Sequence, residues 1–200
     1  MSGDVHVRFW ESAGVRFPRS THLPMHRLER ILQRLREATG LEQALRQAEA
    51  VHFDLAELLR LQVGALHTTY PDCRLRLSGV EAPVGLVGVP DLISQAVDKL
   101  VGNAIDFHTP GSAIDIVCAA NGPEIEIRVR NAGPPLPAET DIFQSMVSGR
   151  QGRQDEPHLG LGLYLVRLIA DFHGGTAQAY NIDSPQGVRV NLALSRQPSR

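Results

Sequence analysis

The chain has 200 residues and a formal net charge of −2, from 20 basic and 22 acidic side chains. Hydrophobic residues make up 42% of it and charged residues 21%, which supports a sizeable core and argues against disorder. The balanced charge gives no electrostatic reason to expect a nucleic-acid or acidic-membrane partner. Cys73 and Cys118 lack Cys-x-x-Cys spacing, and no apolar run approaches the roughly 20 residues that span a bilayer. We therefore expect a cytoplasmic chain with two free thiols.

The N-terminal quarter of the sequence divides into an irregular segment, residues 1–23, and a predicted helix, residues 24–50. In the second segment apolar side chains recur at alternating steps of three and four, the period of a helix with a coiled-coil-like seam. The seam comprises Leu28, Ile31, Leu35, Ala38 and Leu45, and Glu42 interrupts it between the last two. Such a helix needs a partner surface, and periodicity alone leaves open whether it packs on its own domain or pairs with another helix or chain.

The next part of the sequence predicts two helices separated by short strands. Asp54 is a candidate N-cap of the first of these helices, and Glu57 occupies its capping-box position. Pro90 followed by Asp91 opens the second, because proline is favoured in the first helical turn. The predicted elements are a helix over 52–69, strands at 74–79 and 85–89, and a helix from Pro90 to the turn residues 108–111.

The rest of the chain predicts two β-hairpins with a lid and a third helix between them. Asn121-Gly122 is a tight hairpin turn, and residues 148–158 are polar and glycine-containing, as is typical of a mobile lid. The predicted elements are strands at 112–120, 124–131, 176–182 and 188–194, a helix over 160–173, and a loose tail after Ser195. Because the strands come in hairpins, this order predicts an α+β two-layer sandwich and not a doubly wound parallel sheet.

Two segments carry polar groups that suit a nucleotide. Asn103 lies beside the apolar face of the second of these helices, where its carboxamide oxygen could bind a hard cation such as Mg²⁺. Asn131 ends a strand and could accept a hydrogen bond from a base amine, and Gly133 would let the backbone approach a ligand closely. Each feature alone is more typical of an ordinary helix surface or turn.

Two further segments suit phosphate. Gly160 and Gly162 stand at the start of a helix whose first turn has N–H groups without intrahelical partners. Arg150 and Arg153 of the predicted lid could reach phosphate oxygens. A lone Gly-x-Gly is weak evidence, and exposed arginines are usually only solvated.

The order and spacing of these segments together resemble the HATPase domain of the histidine kinases, a branch of the gyrase, Hsp90, kinase and MutL superfamily with the Bergerat fold. DKLVGNAIDF is similar to that family's N box, and VRNAGPPLP to its first glycine box. IFQSMVS resembles the start of the ATP lid, and HLGLGLYLVRLIADFHGG resembles the second glycine box with its helix. The sequences of these last two segments are similar to those of the kinases of proteobacterial dedicated sortase systems.

The resemblance also implies a division of the chain. MHRLERILQRLREATGLEQAL looks like the second helix of a dimerisation and phosphotransfer domain. The implied divisions are an irregular segment 1–23, that helix at 24–50, a catalytic ATP-binding domain over 52–195, and a tail at 196–200.

The resemblance implies that ATP and Mg²⁺ bind between the N-box helix and the lid. Asn103 would coordinate Mg²⁺, and Lys99, one turn earlier, would lie near the phosphates. Asn131 would meet the adenine amine, and Gly133 would make room for the base.

The resemblance also implies that Phe143 anchors the lid and that Gly160 and Gly162, which follow the lid, let it approach the phosphates. The full implied ATP-binding set is Asn103, Lys99, Asp106, Asn131, Gly133, Phe143, Arg150, Gly160, Leu161, Gly162 and Leu163.

Three departures from the family pattern stand out. The first glycine box usually has Asp where this chain has Asn131, and its second glycine is replaced by Pro135. The N box often carries Lys where this chain has Asp106. The sequence has no H box, the motif that bears the phosphoacceptor histidine.

The implied function is a two-component sensor kinase domain that transfers the ATP γ-phosphate to a histidine on another helix, and that does not phosphorylate itself. Its implied partners are ATP or ADP, a second copy through helix 24–50, and a response regulator, with any longer parent protein anchored in the bacterial inner membrane. One alternative is a non-catalytic regulatory module of the same fold with weak nucleotide binding, and another is a serine-kinase anti-sigma factor. A gyrase-like ATPase fits less well, because Lys99 stands where that class keeps a catalytic Glu.

Overall fold

The computed structural model describes residue 40 and residues 48–136, 142–143 and 161–197. The chain divides into two units, Met1–Glu37 and Ala38–Arg200, and the described residues all belong to the second. Segment 1–23, most of the predicted helix 24–50, and the predicted lid lie outside the described residues. Gly40 has helical backbone, whereas residues 48–50 have no regular secondary structure.

The fold of the described residues begins with strand β1 (Val51–Asp54) and helix α1 (Leu55–Thr69). The prediction of a helix from residue 52 is wrong at its start, because β1 pairs antiparallel with β3 (Gly85–Gly88). That pairing joins residues distant in sequence, which a local period cannot reveal. Asp54 is the N-cap, as predicted, since its Oδ1 accepts the Ala56 N–H at 2.9 Å and the Val84 N–H at 2.8 Å.

Strand β2 (Arg74–Ser78) precedes β3, and helix α2 (Pro90–Phe107) follows it. As predicted, α2 opens at Pro90 and ends before His108. Its apolar face is fully covered by the rest of the fold. The buried residues of α2 are Leu92, Ile93, Ala96, Val97, Leu100, Val101 and Ala104.

Five strands form a mixed sheet in the order β2-β4-β5-β7-β6. The four strands that complete it are β4 (Ala113–Asn121), β5 (Glu124–Ala132), β6 (Thr176–Asp183) and β7 (Gln186–Ser195). β2 runs parallel to β4, and all other neighbours in the sheet are antiparallel. Both predicted hairpins are confirmed. The first turn is shifted by one residue from the predicted Asn121-Gly122, because Asn121 pairs with Glu124 and leaves Gly122 and Pro123 between the strands. Gly122 has a φ of 61°, which favours glycine.

The helices cover one face of this sheet. Strand alternation places Ile116, Ile127 and Leu192 in the buried core, while Asp115 and Arg128 point to the opposite, polar face. Helix α3 (Leu161–Phe172) packs beside α2 on the covered face. This arrangement confirms the predicted α+β two-layer sandwich. Within the described part of the chain, none of the helices has the length and apolar character needed to cross a membrane.

Candidate functional site

One edge of α2 carries three of the residues that the sequence singled out. Lys99, Asn103 and Asp106 are spaced by four and three positions, so they project from the same edge of the helix. All three are half-buried beside the apolar face. An ammonium group, a carboxamide and a carboxylate therefore follow one another over about 10 Å of helix.

The start of α3 lies beside this edge. A side chain added at Gly162 would begin 3.9 Å from the Cδ atom of Lys99. Leu163 is half-buried and packs against the core, which fixes the first turn of α3 in place. The first N–H groups of a helix lack intrahelical partners and carry a partial positive charge. A cationic side chain and a helix N-terminus thus meet at one point of the surface.

The end of β5 holds the first glycine box against the last turn of α2. Asn131 is only 6% exposed, and its Nδ2 donates to the Ala132 carbonyl at 3.2 Å. Because Nδ2 donates within the protein, Oδ1 is the polar atom that the side chain can offer to a ligand, as a hydrogen-bond acceptor. A Cβ atom at Gly133 would lie 2.2 Å from the Phe107 carbonyl oxygen. Glycine is required at this position because the backbone of α2 passes against it.

Gly187 is a site residue that sequence reasoning missed. A Cβ atom there would lie 2.0 Å from the Asn131 carbonyl oxygen. The neighbouring Gln186 carbonyl accepts the Gly133 N–H at 3.0 Å. The turn between the last two strands therefore packs against the backbone of the first glycine box and accepts a hydrogen bond from one of its N–H groups. In the sequence it appeared only as a hairpin turn, since the pairing of β5 with β7 is non-local.

His173 is a second residue that sequence reasoning missed. Its side chain is fully buried, Nδ1 lies 2.7 Å from the Ile169 carbonyl, and Nε2 lies 3.1 Å from the Val89 N–H. Because Val89 N–H can only donate, Nε2 must accept, and the imidazole is neutral with its proton on Nδ1. Burial lowers the pKa of His173 below its ordinary value of 6.5. This ring joins the end of α3 to the residue that caps α2.

The remaining candidates divide between the core and the parts of the chain outside the described residues. Phe143 is buried and Ile142 packs against the same core. Arg150, Arg153 and Gly160 lie outside the described residues. Leu161 begins α3, and its side chain also lies outside the described part.

The grouped residues fit a nucleotide with a divalent cation. Lys99 and the α3 N-terminus suit phosphate, and buried Asn131 suits a base amine. No cluster of three or more His, Cys, Asp or Glu side chains that could hold a metal occurs among the described residues. Mg²⁺ is usually held by one or two protein oxygens together with phosphates and water, and Asn103 can supply such an oxygen.

Comparison with known proteins identifies the family to which the sequence is similar. Residues 88–198 match the family model described as histidine kinase-, DNA gyrase B-, and HSP90-like ATPase. The sensor-type histidine kinase PrrB of Mycobacterium leprae is 31% identical over 149 residues, which cover 72% of this chain and 32% of that protein. The chain spans less than half the length of this and other curated sensor proteins, between 13% and 44%.

The fold is similar to solved structures of histidine kinase domains. The catalytic domain of histidine kinase ThkA has a TM-score of 0.64 at 25% identity, covering 76% of this chain and 98% of that domain. The ATP-binding domain of PrrB from Mycobacterium tuberculosis has a TM-score of 0.60 at 25% identity, covering 75% of this chain and 99% of that domain. The described fold is therefore similar to complete catalytic domains of sensor histidine kinases.

Proposed function

The chain belongs to the family of histidine kinase-, DNA gyrase B- and HSP90-like ATPases and contains the ATP-binding catalytic domain of sensor histidine kinases, and on this premise we propose that it transfers the γ-phosphate of ATP to a histidine outside this chain. The proposal assigns the nucleotide to the surface between the α2 edge, the end of β5 and the start of α3.

The observation that carries this assignment is the contact between α2 and α3. Lys99 and Gly162 come from motifs more than 60 residues apart, yet a side chain at Gly162 would begin 3.9 Å from the Lys99 Cδ. A cation beside helix N–H groups is a favourable environment for phosphate. Asn131 and Gly133 lie where β5 meets the end of α2, which would place the base at one end of α2 and the phosphates nearer its middle.

We assign the following roles to the residues of this chain. Lys99 and the first turn of α3 bind phosphate oxygens, and Asn131 Oδ1 accepts a hydrogen bond from the adenine amine. Asn103 Oδ1 would hold Mg²⁺, which would help to neutralise the charge that develops during transfer. Such transfer depends mainly on positioning and charge neutralisation, and a water-activating base is not required.

The proposed partners follow from the same function. Because no H box occurs in the 200 residues, we expect the chain to bind ATP without becoming labelled by its γ-phosphate. We propose that segment 24–50 is the second helix of a dimerisation domain and pairs with a second copy. A response regulator and a membrane-anchored parent protein complete the proposed system.

Calorimetric titration with a non-hydrolysable ATP analogue and Mg²⁺ tests the assignment of the metal ligand. We expect micromolar binding by the native chain and at least tenfold weaker binding by Asn103→Ala, a loss of about 1.4 kcal/mol or more. Gln95→Ala is the matched control, because Gln95 is exposed on α2 and the proposed site does not include it. Equal affinities for the native chain and Asn103→Ala would remove Asn103 from the site.

A nucleotide-binding regulatory module without kinase activity is the second candidate. The observation in its favour is Asn131, which offers the adenine amine an uncharged oxygen instead of a carboxylate, and uncharged hydrogen bonds are the weaker kind. Binding of the analogue that saturates only at millimolar concentration would favour this module over the kinase.

A further inference from the structure

The edge of α2 opposite the proposed nucleotide site borders an open groove. Ser94 and Asp98 point from α2 into this groove, and α1 forms its other wall. The groove has a volume of about 820 Å³. We call it the α1–α2 groove and define it by Leu58, Leu61, Ala65 and Leu66 of α1 with Ser94 and Asp98 of α2.

The floor of the α1–α2 groove is a second apolar stripe on α1. The first stripe, which includes Leu59 and Val63, is buried in the core. Leu58 and Leu66 are only partly buried, and Leu61 is 69% exposed. A helix that is apolar on two faces is normally covered on both. The exposed side of α1 therefore has the character of a contact surface.

The charged groups along the α1–α2 groove are of one sign. Among the described residues that line it, every ionisable side chain that is charged at neutral pH is a carboxylate, namely Asp54, Glu57 and Asp98. Asp54 Oδ2 lies 3.9 Å from Arg60 Nη2, and Asp98 Oδ1 accepts a hydrogen bond from Gln62 Nε2 at 2.6 Å. An apolar floor with an acidic rim fits a partner whose apolar stripe is flanked by basic side chains.

The shape of the walls favours a helix as the bound segment. The backbone N–H and C=O groups of α1 and α2 are paired within each helix, so a bound segment would gain no ladder hydrogen bonds there. It must satisfy its own backbone groups, as a helix does. The lining from Leu58 to Tyr70 extends for about 18 Å, or roughly three helical turns.

We propose that the α1–α2 groove is a docking site for an amphipathic helix of a partner protein, with a leucine-like apolar stripe of about three turns flanked by lysine or arginine. The proposal is independent of the nucleotide assignment, since Ser94 and Asp98 occupy a different edge of α2 from Lys99 and Asn103.

Fluorescence anisotropy with a synthetic 18-residue helical peptide tests this docking site. The probe carries a leucine stripe with lysine flanks, and a second peptide has glutamate in place of every lysine. We expect saturable binding of the lysine peptide, weakened about tenfold or more in the glutamate peptide. Equal binding of both peptides, or no saturable binding of the lysine peptide, would overturn the proposal.

Variants locate the binding on the domain. Leu61→Ser removes an exposed apolar contact, and we expect it to weaken peptide binding about tenfold. The double variant Glu57→Gln with Asp98→Asn removes two negative charges from the groove and should weaken binding about threefold. Tyr180→Ser, an exposed aromatic on the far face of the sheet, is the control and should leave binding unchanged. Unaltered binding by Leu61→Ser would refute the location.

Two controls distinguish the loss of a docking contact from misfolding and from self-association. The circular dichroism spectrum and the urea unfolding midpoint should be the same in Leu61→Ser and the native chain, which shows that the variant is folded. Sedimentation of both proteins should give the same mass. If Leu61→Ser instead lowered self-association, the occupant of the groove would be a second copy of the chain and the proposed partner helix would be wrong.

Discussion

At the residue scale, glycine at position 133 is required by packing within the protein itself. A Cβ atom there would lie 2.2 Å from the Phe107 carbonyl oxygen, which belongs to the backbone of α2 and cannot rotate away as a side chain could. Glycine boxes are usually attributed to the space that a ligand needs. In this chain the same glycine also sets the distance between β5 and the helix that carries Asn103.

Gly133→Ala should therefore destabilise the fold by about 1–3 kcal/mol, the usual cost of overpacking a core. Gly64→Ala is the matched control, because a Cβ atom at Gly64 of α1 meets nothing within 4 Å. That change should stabilise the helix by about 0.5–1 kcal/mol. Urea unfolding of both variants measures the difference. A Gly133→Ala protein as stable as the native chain would contradict this packing.

His173 makes the fold sensitive to acid. The unfolded chain binds a proton at His173 near pH 6.5, whereas the buried, neutral ring binds one only at lower pH. Stability from this group is fully present above pH 6.5 and is lost as the pH falls below it toward the folded pKa. The loss grows by about 1.4 kcal/mol for each pH unit crossed in that window.

His173→Gln isolates this effect, because glutamine can accept the Val89 N–H but does not titrate. Urea unfolding at pH 7.5 and pH 5.5 should show a larger loss of stability for the native chain than for the variant. The carboxylates titrate alike in both proteins and cancel in the difference. Equal losses would mean that His173 is protonated as easily in the folded protein as in the unfolded one.

At the scale of elements, helix α2 presents three surfaces, and each has a different neighbour. Its apolar face packs into the core, the Lys99–Asn103 edge meets α3, and the Ser94–Asp98 edge borders the α1–α2 groove. The period of a single helix therefore sets the direction of three different surfaces.

The start of α1 depends on a side chain that serves two segments. Asp54 Oδ1 accepts the N–H groups of Ala56 and Val84, and these bonds lower the pKa of its carboxyl group. Asp54→Ala should lower the melting temperature and expose the amides of the β1–β3 region to hydrogen exchange. Asp54→Asn keeps the accepting oxygen and should retain most of the native stability. Equal losses in the two variants would show that the charge, and not the cap, stabilises this corner.

The sequence predicts those elements whose signals are local. The bounds of α2, both hairpins and the Asp54 cap follow from period, proline and turn residues. The strand β1, by contrast, is recognisable only from its pairing with β3, 30 residues or more away. For the same reason the supporting roles of Gly187 and His173 could not be predicted. Each depends on a contact between distant segments, with β5 for Gly187 and with the cap of α2 for His173.

At the scale of the whole molecule, helix α2 takes part in two surfaces: the proposed nucleotide site, which it forms with β5 and α3, and the α1–α2 groove, which it forms with α1. Motifs from three separated stretches meet near α2, and the proposed nucleotide site rests on this meeting and not on any single motif. The departures Asn131 and Pro135 lie where the base is proposed to bind, whereas Lys99, Asn103 and Gly162 lie where the phosphates are proposed to bind. We therefore expect base recognition, and not phosphate binding, to be the weaker part of the site.

Hydrogen exchange of the native chain, with and without an ATP analogue and Mg²⁺, tests the proposed site most directly. The nucleotide should slow exchange in residues 99–107, 131–134 and 161–166, and leave the exposed side of α1 unchanged. Slower exchange confined to the α1–α2 groove or to the polar face of the sheet would contradict the assignment of the ATP site.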